Sequence, residues 1–479
     1  MSRLIVGPFN RVEGDLQVQL EIQDGHIQSA EVNAQMYRGF EQILHGKEPM
    51  DALVIVPRIC GICSVSQSVA SAMALADAMQ VDVPPNGALL GNLIHAVENV
   101  ADHFTHFYLF FMPDFTHPEY AGREWYAAIE QRFTAIKGEA ASEVLAARAA
   151  FMHLLGLFAG KWPHSLTIQP AGVTRNLDRG ELLRATGLLA GFKAFLQQTL
   201  YGDALDTVLG LTTEGQLLDW SRQTKGDLSR FIHIAKDLAL QDYGRGNDQL
   251  MSYGAYGFGQ PPLFRAGVWQ QGAADLDIAH ITEDISHSWL QGSAEPLSPR
   301  QGVTLPEADK AGAYSWCKAP RLGGEVMEVG ALARQVIDGQ PLMTDLFSQY
   351  GACIYTRLLA RMIEIARVVQ AMQNWLQAYQ PGQRVISDMP LPDEASGIGL
   401  TEAARGSLGH WLQIHNGRLL NYQIIAPTTW NFSPRDQQGT PGVLEQALQG
   451  TPVKEGDHKP VMVQHIVRSF DPCMVCTVH

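Results

Sequence analysis

Residues 58–63 read RICGIC and residues 471–479 read DPCMVCTVH, so one Cys-x-x-Cys pair lies near each end of the chain. Four thiolates delivered as two pairs suit a soft transition metal. If the four cysteines, Cys60, Cys63, Cys473 and Cys476, bind one centre, the two ends of the chain must meet inside the folded protein. By spacing alone, a structural zinc site with four cysteines explains the two pairs about as well.

The composition limits the class of protein. The chain has 479 residues, 46% of them hydrophobic, and a formal net charge of −14. Length alone suggests about three domains, and the negative charge argues against nucleic acid as a partner. We find no run of about 18 apolar residues and therefore expect no membrane span. Residues 1–15, MSRLIVGPFNRVEGD, carry neither an apolar signal segment nor a twin-arginine motif, so we expect no export signal on this chain.

Hydrophobic periodicity predicts strands first and long helices afterwards. Residues 16–23, LQVQLEIQ, alternate between apolar and polar, and Asp24-Gly25 predicts a hairpin turn into a second strand. From about residue 86 the apolar residues recur at helical spacing. Further helices are predicted over residues 121–160, 179–202 and 349–378.

Three further segments carry local structural signals. ALVIVPRI, residues 52–59, predicts a buried strand just before the first pair, and Asn416-Gly417 predicts the turn of a second hairpin. Residues 240–345 are richer in Gly, Pro and polar residues, which indicates loops with short elements. The predicted class is α/β with helices dominant, a central bundle of long helices and small sheets at the periphery.

The motifs R-x-C-G-x-C and D-P-C-x-x-C-x-x-H resemble the signatures of the nickel–iron hydrogenase large subunit. The resemblance implies that Cys60 and Cys473 are terminal nickel ligands, and that Cys63 and Cys476 bridge nickel to iron. It implies an iron that carries CO and cyanide, and reversible heterolytic cleavage of H₂ into protons and electrons. It also implies a single interlocked large-subunit domain over residues 1–479.

Two further motifs resemble the catalytic surroundings of that centre. Glu13 in RVEG corresponds to the family's proton acceptor beside Cys473. A terminal thiolate that hands a proton to a carboxylate is a sensible chemical route. Arg405 in EAARGSLGHW corresponds to the arginine above the metals, with Ala404 in place of the usual proline. A guanidinium suits this position because it stays charged and presents donors in fixed directions.

The resemblance assigns four more residues to the environment of the iron. Asp114 and Asp471 correspond to two acidic residues that pair with the arginine. Pro427 and Thr428, in APTTWN, correspond to the segment that contacts a cyanide. Without the resemblance, each of these residues is more typical of an ordinary ion pair or helix cap.

A second metal site is implied by residues far from each other in sequence. Glu41 in YRGFE and the terminal His479 resemble ligands of a structural site that generally holds magnesium. A carboxylate suits the hard Mg²⁺ ion. The backbone carbonyl of Ile425 is the expected third contributor.

The remaining cysteines indicate a partner. Only Cys317 and Cys353 lie outside the two pairs, and two cysteines cannot supply the four thiolates of an ordinary iron–sulfur cluster. Iron–sulfur clusters are therefore expected only on a separate small subunit. Maturation chaperones are a further partner that the resemblance implies.

Besides Ala404, three more positions depart from the usual family pattern. Gln67 stands where a histidine is common, Ile62 where a valine is common and Phe110 where a leucine is common along the gas channel. A glutamine can donate a hydrogen bond toward a cysteine sulfur, but it does not titrate. These residues resemble the regulatory branch of the family, which implies a cytoplasmic H₂ sensor that signals to a histidine kinase. The alternatives are an energy-conserving uptake hydrogenase and a noncatalytic scaffold like the related subunit of respiratory complex I, which lacks the metal cysteines.

Overall fold

The computed structural model describes residues 2–479. Its α-helices are α1 Phe40–Leu44, α2 Ala52–Ile55, α3 Ser64–Met79, α4 Pro85–Thr105, α5 Tyr126–Phe133, α6 Glu139–Ala159, α7 Arg179–Phe195, α8 Leu205–Leu209, α9 Glu214–Gln223, α10 Asp227–Asp237, α11 Ala331–Ile337, α12 Pro341–Tyr350, α13 Ile354–Ala378, α14 Pro427–Asn431, α15 Val443–Leu448, α16 Val461–Ser469 and α17 Met474–Thr477.

The strands pair only in small antiparallel sheets within the described residues. They are β1 Ser2–Val6, β2 Leu16–Gln23, β3 His26–Ala34, β4 Ile168–Gln169, β5 Gly172–Val173, β6 Leu250–Ser252, β7 Gly267–Trp269, β8 Ala273–Ala274, β9 Ile281–Asp284, β10 Leu290–Gln291, β11 Leu305–Pro306, β12 Ala319–Leu322, β13 Ala395–Ala403, β14 Gly406–His415 and β15 Arg418–Ile425. Many helices and small sheets confirm the predicted fold class.

Both predicted hairpins are confirmed. β2 pairs with β3 across Asp24-Gly25, and β14 pairs with β15 across Asn416-Gly417. All four turn residues have positive φ, from 50° to 74°. Asn, Asp and Gly adopt this conformation at low cost, which explains why the dipeptides identify the turns.

Four long helices form the centre of the molecule. α4 packs against α6 and α13, and α7 packs against the same two helices. Aromatic rings fill the space between them: Phe151 of α6 stacks on Phe192 of α7 with ring centroids 4.0 Å apart, and Phe104 of α4 meets Phe192 edge-on at 5.4 Å. By length and composition α6 would suffice to cross a membrane, but one such helix is weak evidence for a span; α6 packs against α4 and α7, and 33% of its apolar window is buried.

Two sequence predictions need correction. The helix predicted over residues 121–160 is two helices, because the chain turns between α5 and α6 at Gly138, where a Cβ would lie 2.6 Å from a backbone oxygen. The strand predicted over residues 52–59 is wrong: Ala52–Ile55 is α2, and Val56–Arg58 is a 3₁₀ turn. A short apolar run does not distinguish a buried strand from a buried helical turn, and Pro57 lacks the N–H that a strand would use.

Helix α3, which begins directly after Cys63, lies in close contact with β13. A Cβ at Gly397 would lie 1.9 Å from the carbonyl oxygen of Ala74, and one at Gly399 would lie 1.9 Å from that of Ala70. The later residue of β13 therefore contacts the earlier residue of α3. As β13 approaches the turn before β14, it comes closer to the start of α3 and so to Cys63. That turn holds Arg405, so this packing brings the arginine to the first cysteine pair.

Candidate metal centre

The four cysteines of the two motifs converge in one buried cluster. The Sγ atoms of Cys60 and Cys473 are 3.5 Å apart, those of Cys63 and Cys476 are 3.2 Å apart, and those of Cys473 and Cys476 are 2.8 Å apart. All four sulfurs lie within 4.8 Å of one another. They are the one group of three or more potential metal-ligating side chains found within residues 2–479.

The charges of this cluster call for a cation. The pKa of Cys60 lies well below its usual range because the Cys473 and Cys476 thiols hydrogen-bond to its thiolate. Burial raises the pKa of Cys476 well above its usual range, and the neighbouring sulfurs raise it further. Four thiolates cannot coexist in this space without positive charge between them. A bound metal ion supplies that charge and removes the thiol protons, so the donor set fits a soft transition metal.

The N-terminal segment reaches the centre through backbone pairing. The N–H of Glu13 donates to the carbonyl of Pro472 at 3.3 Å, and the N–H of Met474 donates to the carbonyl of Glu13 at 2.7 Å. Gly14 has a φ of +80°, and a Cβ there would lie 3.1 Å from Met474 and Val475 atoms. The glycine of RVEG thus permits both the backbone conformation and the close approach.

Glu13 is half-buried beside the cluster. Within residues 2–479 its carboxylate takes part in no hydrogen bond, although its backbone is firmly paired. Burial raises the pKa of Glu13, and the nearby Cys60 raises it further, while Arg405 and Arg38 oppose the shift. A carboxylate without a fixed partner is available to exchange protons with its surroundings.

Arg38 joins the two cysteine loops, which sequence reasoning missed. Its guanidinium donates to the carbonyl of Ile59 at 2.6 Å, and also to the carbonyl of Val475. Ile59 directly precedes Cys60, and Val475 lies between Cys473 and Cys476. Arg38 belongs to the YRGFE motif and lies three residues before Glu41, but the sequence does not show which carbonyls an arginine will reach.

Arg405 lies in an ion-pair network next to the cluster. It donates from Nε to the carbonyl of Asp471 at 2.7 Å, from Nη2 to the Asp471 carboxylate at 3.0 Å and from Nη1 to Asp102 at 2.5 Å. The pairing with Asp471 agrees with the prediction. Burial raises the pKa of Asp102 and the charge of Asp471 raises it further, although Arg405 opposes both. Three of the five guanidinium donors are thus used, and the second oxygen of Asp471 is buried without a partner in residues 2–479.

The predicted pairing of Asp114 with Arg405 is wrong. Asp114 instead accepts from Arg468 at 2.7 Å, from His465 at 3.1 Å and from Arg11. These interactions hold the pKa of Asp114 well below its usual range against the effect of burial. The acidic partner of Arg405 is Asp102, which lies on α4, whereas Asp114 lies in the 3₁₀ turn Met112–Thr116 beyond the helix.

The remaining residues predicted near the iron lie close to the cysteines in different ways. Pro427 and Thr428 begin α14, and the Thr428 hydroxyl accepts from the backbone N–H of Cys473 at 3.1 Å. His410 donates to Oε1 of Gln67 at 2.9 Å and is kept neutral by burial, which lowers its pKa to about 3. The Gln67 amide nitrogen is buried with no partner in the described part of the chain. It therefore has donors to offer a ligand or a sulfur.

The second predicted metal site is a separate cluster. Nε2 of His479 lies 3.4 Å from Oε1 of Glu41, and that oxygen also accepts from the backbone N–H of Ile424. The carbonyl that faces His479 belongs to Ile424, at 2.8 Å, and not to Ile425 as predicted. Alternate residues of β15 present their carbonyls on opposite sides, so an error of one residue selects the wrong group. A carboxylate, a carbonyl and an imidazole fit a divalent cation here, and Lys318, 3.8 Å from Glu41, already contributes positive charge.

The two distant Cys-x-x-Cys pairs form one buried thiolate cluster beside the Glu13 carboxylate and the Arg405 guanidinium. These features define a protein with a buried transition-metal site. A family model described as "Nickel-dependent hydrogenase" matches residues 38–124 and 115–479. The chain therefore belongs to the nickel-dependent hydrogenase family and is a hydrogenase large subunit, which pairs with a small subunit.

Similarity to known members covers the whole chain. The sequence is 30% identical to the periplasmic [NiFeSe] hydrogenase large subunit of Desulfomicrobium baculatum, covering 95% of that protein. It is 28% identical to the hydrogenase-2 large chain of Escherichia coli and 28% identical to the uptake hydrogenase large subunit of Azotobacter chroococcum, covering 97% and 95% of them. The structure matches the Ni-Fe-Se hydrogenase from D. vulgaris Hildenborough with a TM-score of 0.85 and 30% identity, covering 100% of both chains.

Proposed function

We propose that this large subunit catalyses the reversible heterolytic cleavage of H₂ at a nickel–iron centre whose iron carries CO and cyanide. In this proposal Cys60 and Cys473 would bind nickel alone, and Cys63 and Cys476 would bind both nickel and iron. The observation that carries it is the convergence of four buried thiols with Glu13, whose segment pairs with the backbone around Cys473 and whose carboxylate has no hydrogen-bond partner in residues 2–479.

The residues of the chain have distinct roles in this proposal. The bound nickel–iron centre supplies the site at which H₂ is polarised and its electrons are accepted. Glu13 receives the proton from the Cys473 side of the cluster and passes it outward, since it is only half-buried. Arg405, fixed by Asp102 and Asp471, provides positive charge and two remaining N–H donors, which would be available to ligands of the iron. The Thr428 hydroxyl and the Gln67 amide nitrogen, which is without a partner in residues 2–479, complete the polar lining, and Pro427 begins the short helix that carries Thr428.

Metal analysis and infrared spectroscopy of the purified heterodimer test this function. We expect one nickel and one iron per large subunit, together with absorption bands of CO and cyanide bound to iron. Zinc alone, without these bands, would show that the cluster is a structural site. The Glu41, Ile424 and His479 site is proposed to hold one Mg²⁺ with a structural role, which the same metal analysis checks.

The physiological role is proposed to be that of a cytoplasmic H₂ sensor that signals through the small subunit to a histidine kinase. This proposal is supported by Gln67 in place of the usual histidine, together with Ile62 and Phe110. Ile62 lies between Cys60 and Cys63, and Phe110 lies partly exposed after the bundle helix α4. Bulkier side chains at both positions would narrow an apolar gas route, which would slow O₂ more than the smaller H₂.

The second candidate role is that of an energy-conserving uptake hydrogenase. It is favoured by the relatives, several of which are named as uptake or periplasmic enzymes. Both candidates require maturation chaperones that insert the metals. A noncatalytic scaffold is disfavoured, because all four metal cysteines are present and clustered.

A further inference from the structure

Glu98 on α4 is a fully buried carboxylate whose hydrogen bonds all lead to segments next to the metal centre. Its Oε2 accepts from the backbone N–H of Val65 at 2.8 Å and from the indole N–H of Trp162 at 2.9 Å. Its Oε1 accepts from the backbone N–H of Ser66 at 2.8 Å. The hydroxyls of Ser64 and Ser66 donate at 3.3 and 3.0 Å.

The start of α3 explains why this carboxylate is needed. Cys63 occupies the N-cap position of α3 and makes no side-chain capping bond, because its sulfur lies in the cysteine cluster. The first N–H groups of a helix have no partner within the helix, and an N-cap Ser, Thr, Asp or Asn normally satisfies one of them. Here Glu98 satisfies those of Val65 and Ser66 from a neighbouring helix, and its carboxyl oxygens lie at the positive end of α3.

The same carboxylate belongs to a network that holds both sides of the first cysteine loop. His164, two residues after Trp162, donates its backbone N–H to the Ser64 hydroxyl at 3.4 Å and its ring Nδ1 to the carbonyl of Pro57 at 3.0 Å. Pro57 precedes the cysteine pair and Ser64 follows it. The segment after α6 therefore fixes the loop at both ends, and Glu98 anchors this segment through Trp162.

We propose that Glu98 is a positioning residue of the metal centre, which caps α3 in place of Cys63 and thereby fixes the direction of the Cys63 sulfur. The inference rests on the proposed binding of nickel and iron by the four cysteines. Glu98 acts through α3 and the Trp162 segment. Its effect should therefore appear in the properties of the bound metals as well as in stability.

Two variants separate the parts of this role. Glu98→Leu removes both acceptor oxygens, and Glu98→Gln retains one of them. We expect nickel per chain to fall in Glu98→Leu, and the infrared bands of the iron ligands to shift from wild type in Glu98→Gln. Activity per nickel should fall on the order of 10-fold in Glu98→Gln, as is typical when a residue that orients a metal ligand is lost.

Glu445 provides a matched control. It is equally buried and accepts from the N–H of Val32 at 3.0 Å, the N–H of Gly442 at 3.2 Å and the hydroxyl of Tyr314 at 2.7 Å. None of these partners lies next to a metal cysteine, so Glu445→Gln should lower the melting temperature without moving the infrared bands.

The outcomes distinguish this inference from the proposed function. If Glu98→Gln lowers the melting temperature as Glu445→Gln does, but keeps wild-type bands and wild-type activity per nickel, Glu98 serves stability alone and the inference fails. Loss of folded protein in both Glu98 variants overturns it too, since Glu98 would then support the fold as a whole. Absence of nickel from the wild type would instead refute the proposed centre.

Discussion

Glu13 lies beside Cys473 because its backbone pairs with the C-terminal segment, and its side chain remains free to take a proton. Replacing Glu13 with Gln preserves the shape but removes the proton acceptor. We expect nickel content to stay unchanged and H₂ turnover to fall by at least about 10²-fold, the low end of general-base contributions. Metal content and H₂ oxidation are measured together. Asp15→Asn, at an exposed carboxylate two residues further on, is the control and should retain full turnover.

Arg405 contributes a geometry that lysine cannot reproduce. Its fork bonds Asp102 and Asp471 at the same time, whereas an ammonium keeps the charge but not the planar donors. We expect Arg405→Lys to assemble the centre with severely reduced H₂ oxidation, measured as activity per nickel. Arg321→Lys, at a buried arginine paired with Asp436, should affect stability but not activity per nickel. Unchanged activity in Arg405→Lys would show that the guanidinium fork is dispensable.

At the scale of single residues, the sequence indicated which residues lie near the cysteine cluster better than it indicated which partners they contact. The cysteines, Glu13 and Arg405 belong to short motifs with distinctive neighbours. Asp102 and Asp114 are both acidic residues near one end of α4, and only the direction of each side chain in the folded protein decides which one meets Arg405. The prediction of the Ile425 carbonyl, where the structure has that of Ile424, failed for the same reason. The contact is made by a backbone carbonyl, and the residue type does not show which carbonyl faces His479.

Among the elements, the segment of Gly14 shows how a turn conformation serves the metal centre. Gly14→Ala places a Cβ at positive φ, which costs about 1–2 kcal/mol, and forces it against Met474 and Val475 at 3.1 Å. We expect lower stability together with a reduced nickel content per chain, measured by thermal unfolding and metal analysis.

Gly25→Ala is the control for this prediction. Gly25 has a similar φ of +74°, but the nearest atom to a Cβ there is 3.8 Å away. This variant should lose a comparable stability and keep its nickel. Equal nickel loss in the two variants would mean that lower stability, and not the displaced C-terminal segment, limits metal retention.

Elements with strong local signals were predictable from the sequence, and elements fixed by tertiary contacts were not. The two hairpins follow from turn residues that adopt positive φ readily. The apolar run at residues 52–59 carries no periodic signal, and its helical turns result from Pro57 and from packing around the first cysteine loop. The capping of α3 by Glu98 could not be predicted from the sequence either, because a helix cap normally comes from the residue at the helix start.

For the whole molecule, the sequence predicted that the two ends meet, because two cysteine pairs form one site only in that way. It did not predict how the ends are held. Arg38 donates hydrogen bonds to both cysteine loops, and the backbone of Glu13 pairs with the C-terminal segment. Both interactions depend on the packing of the entire chain. The physiological role is a further step, because both proposed roles would use the same fold and the same cysteine cluster.

Deletion of the gene in the native host separates the two roles. A sensor turns over slowly and controls other genes, so the deletion should abolish H₂-dependent induction of other hydrogenase genes while most H₂ uptake remains. Reporter expression under H₂ and whole-cell H₂ consumption are measured in the same cultures, and restoring the wild-type gene is the control. A copy carrying Glu13→Gln should fail to restore induction if signalling depends on turnover. Loss of most H₂ uptake with induction intact would replace the sensor role with that of an uptake hydrogenase.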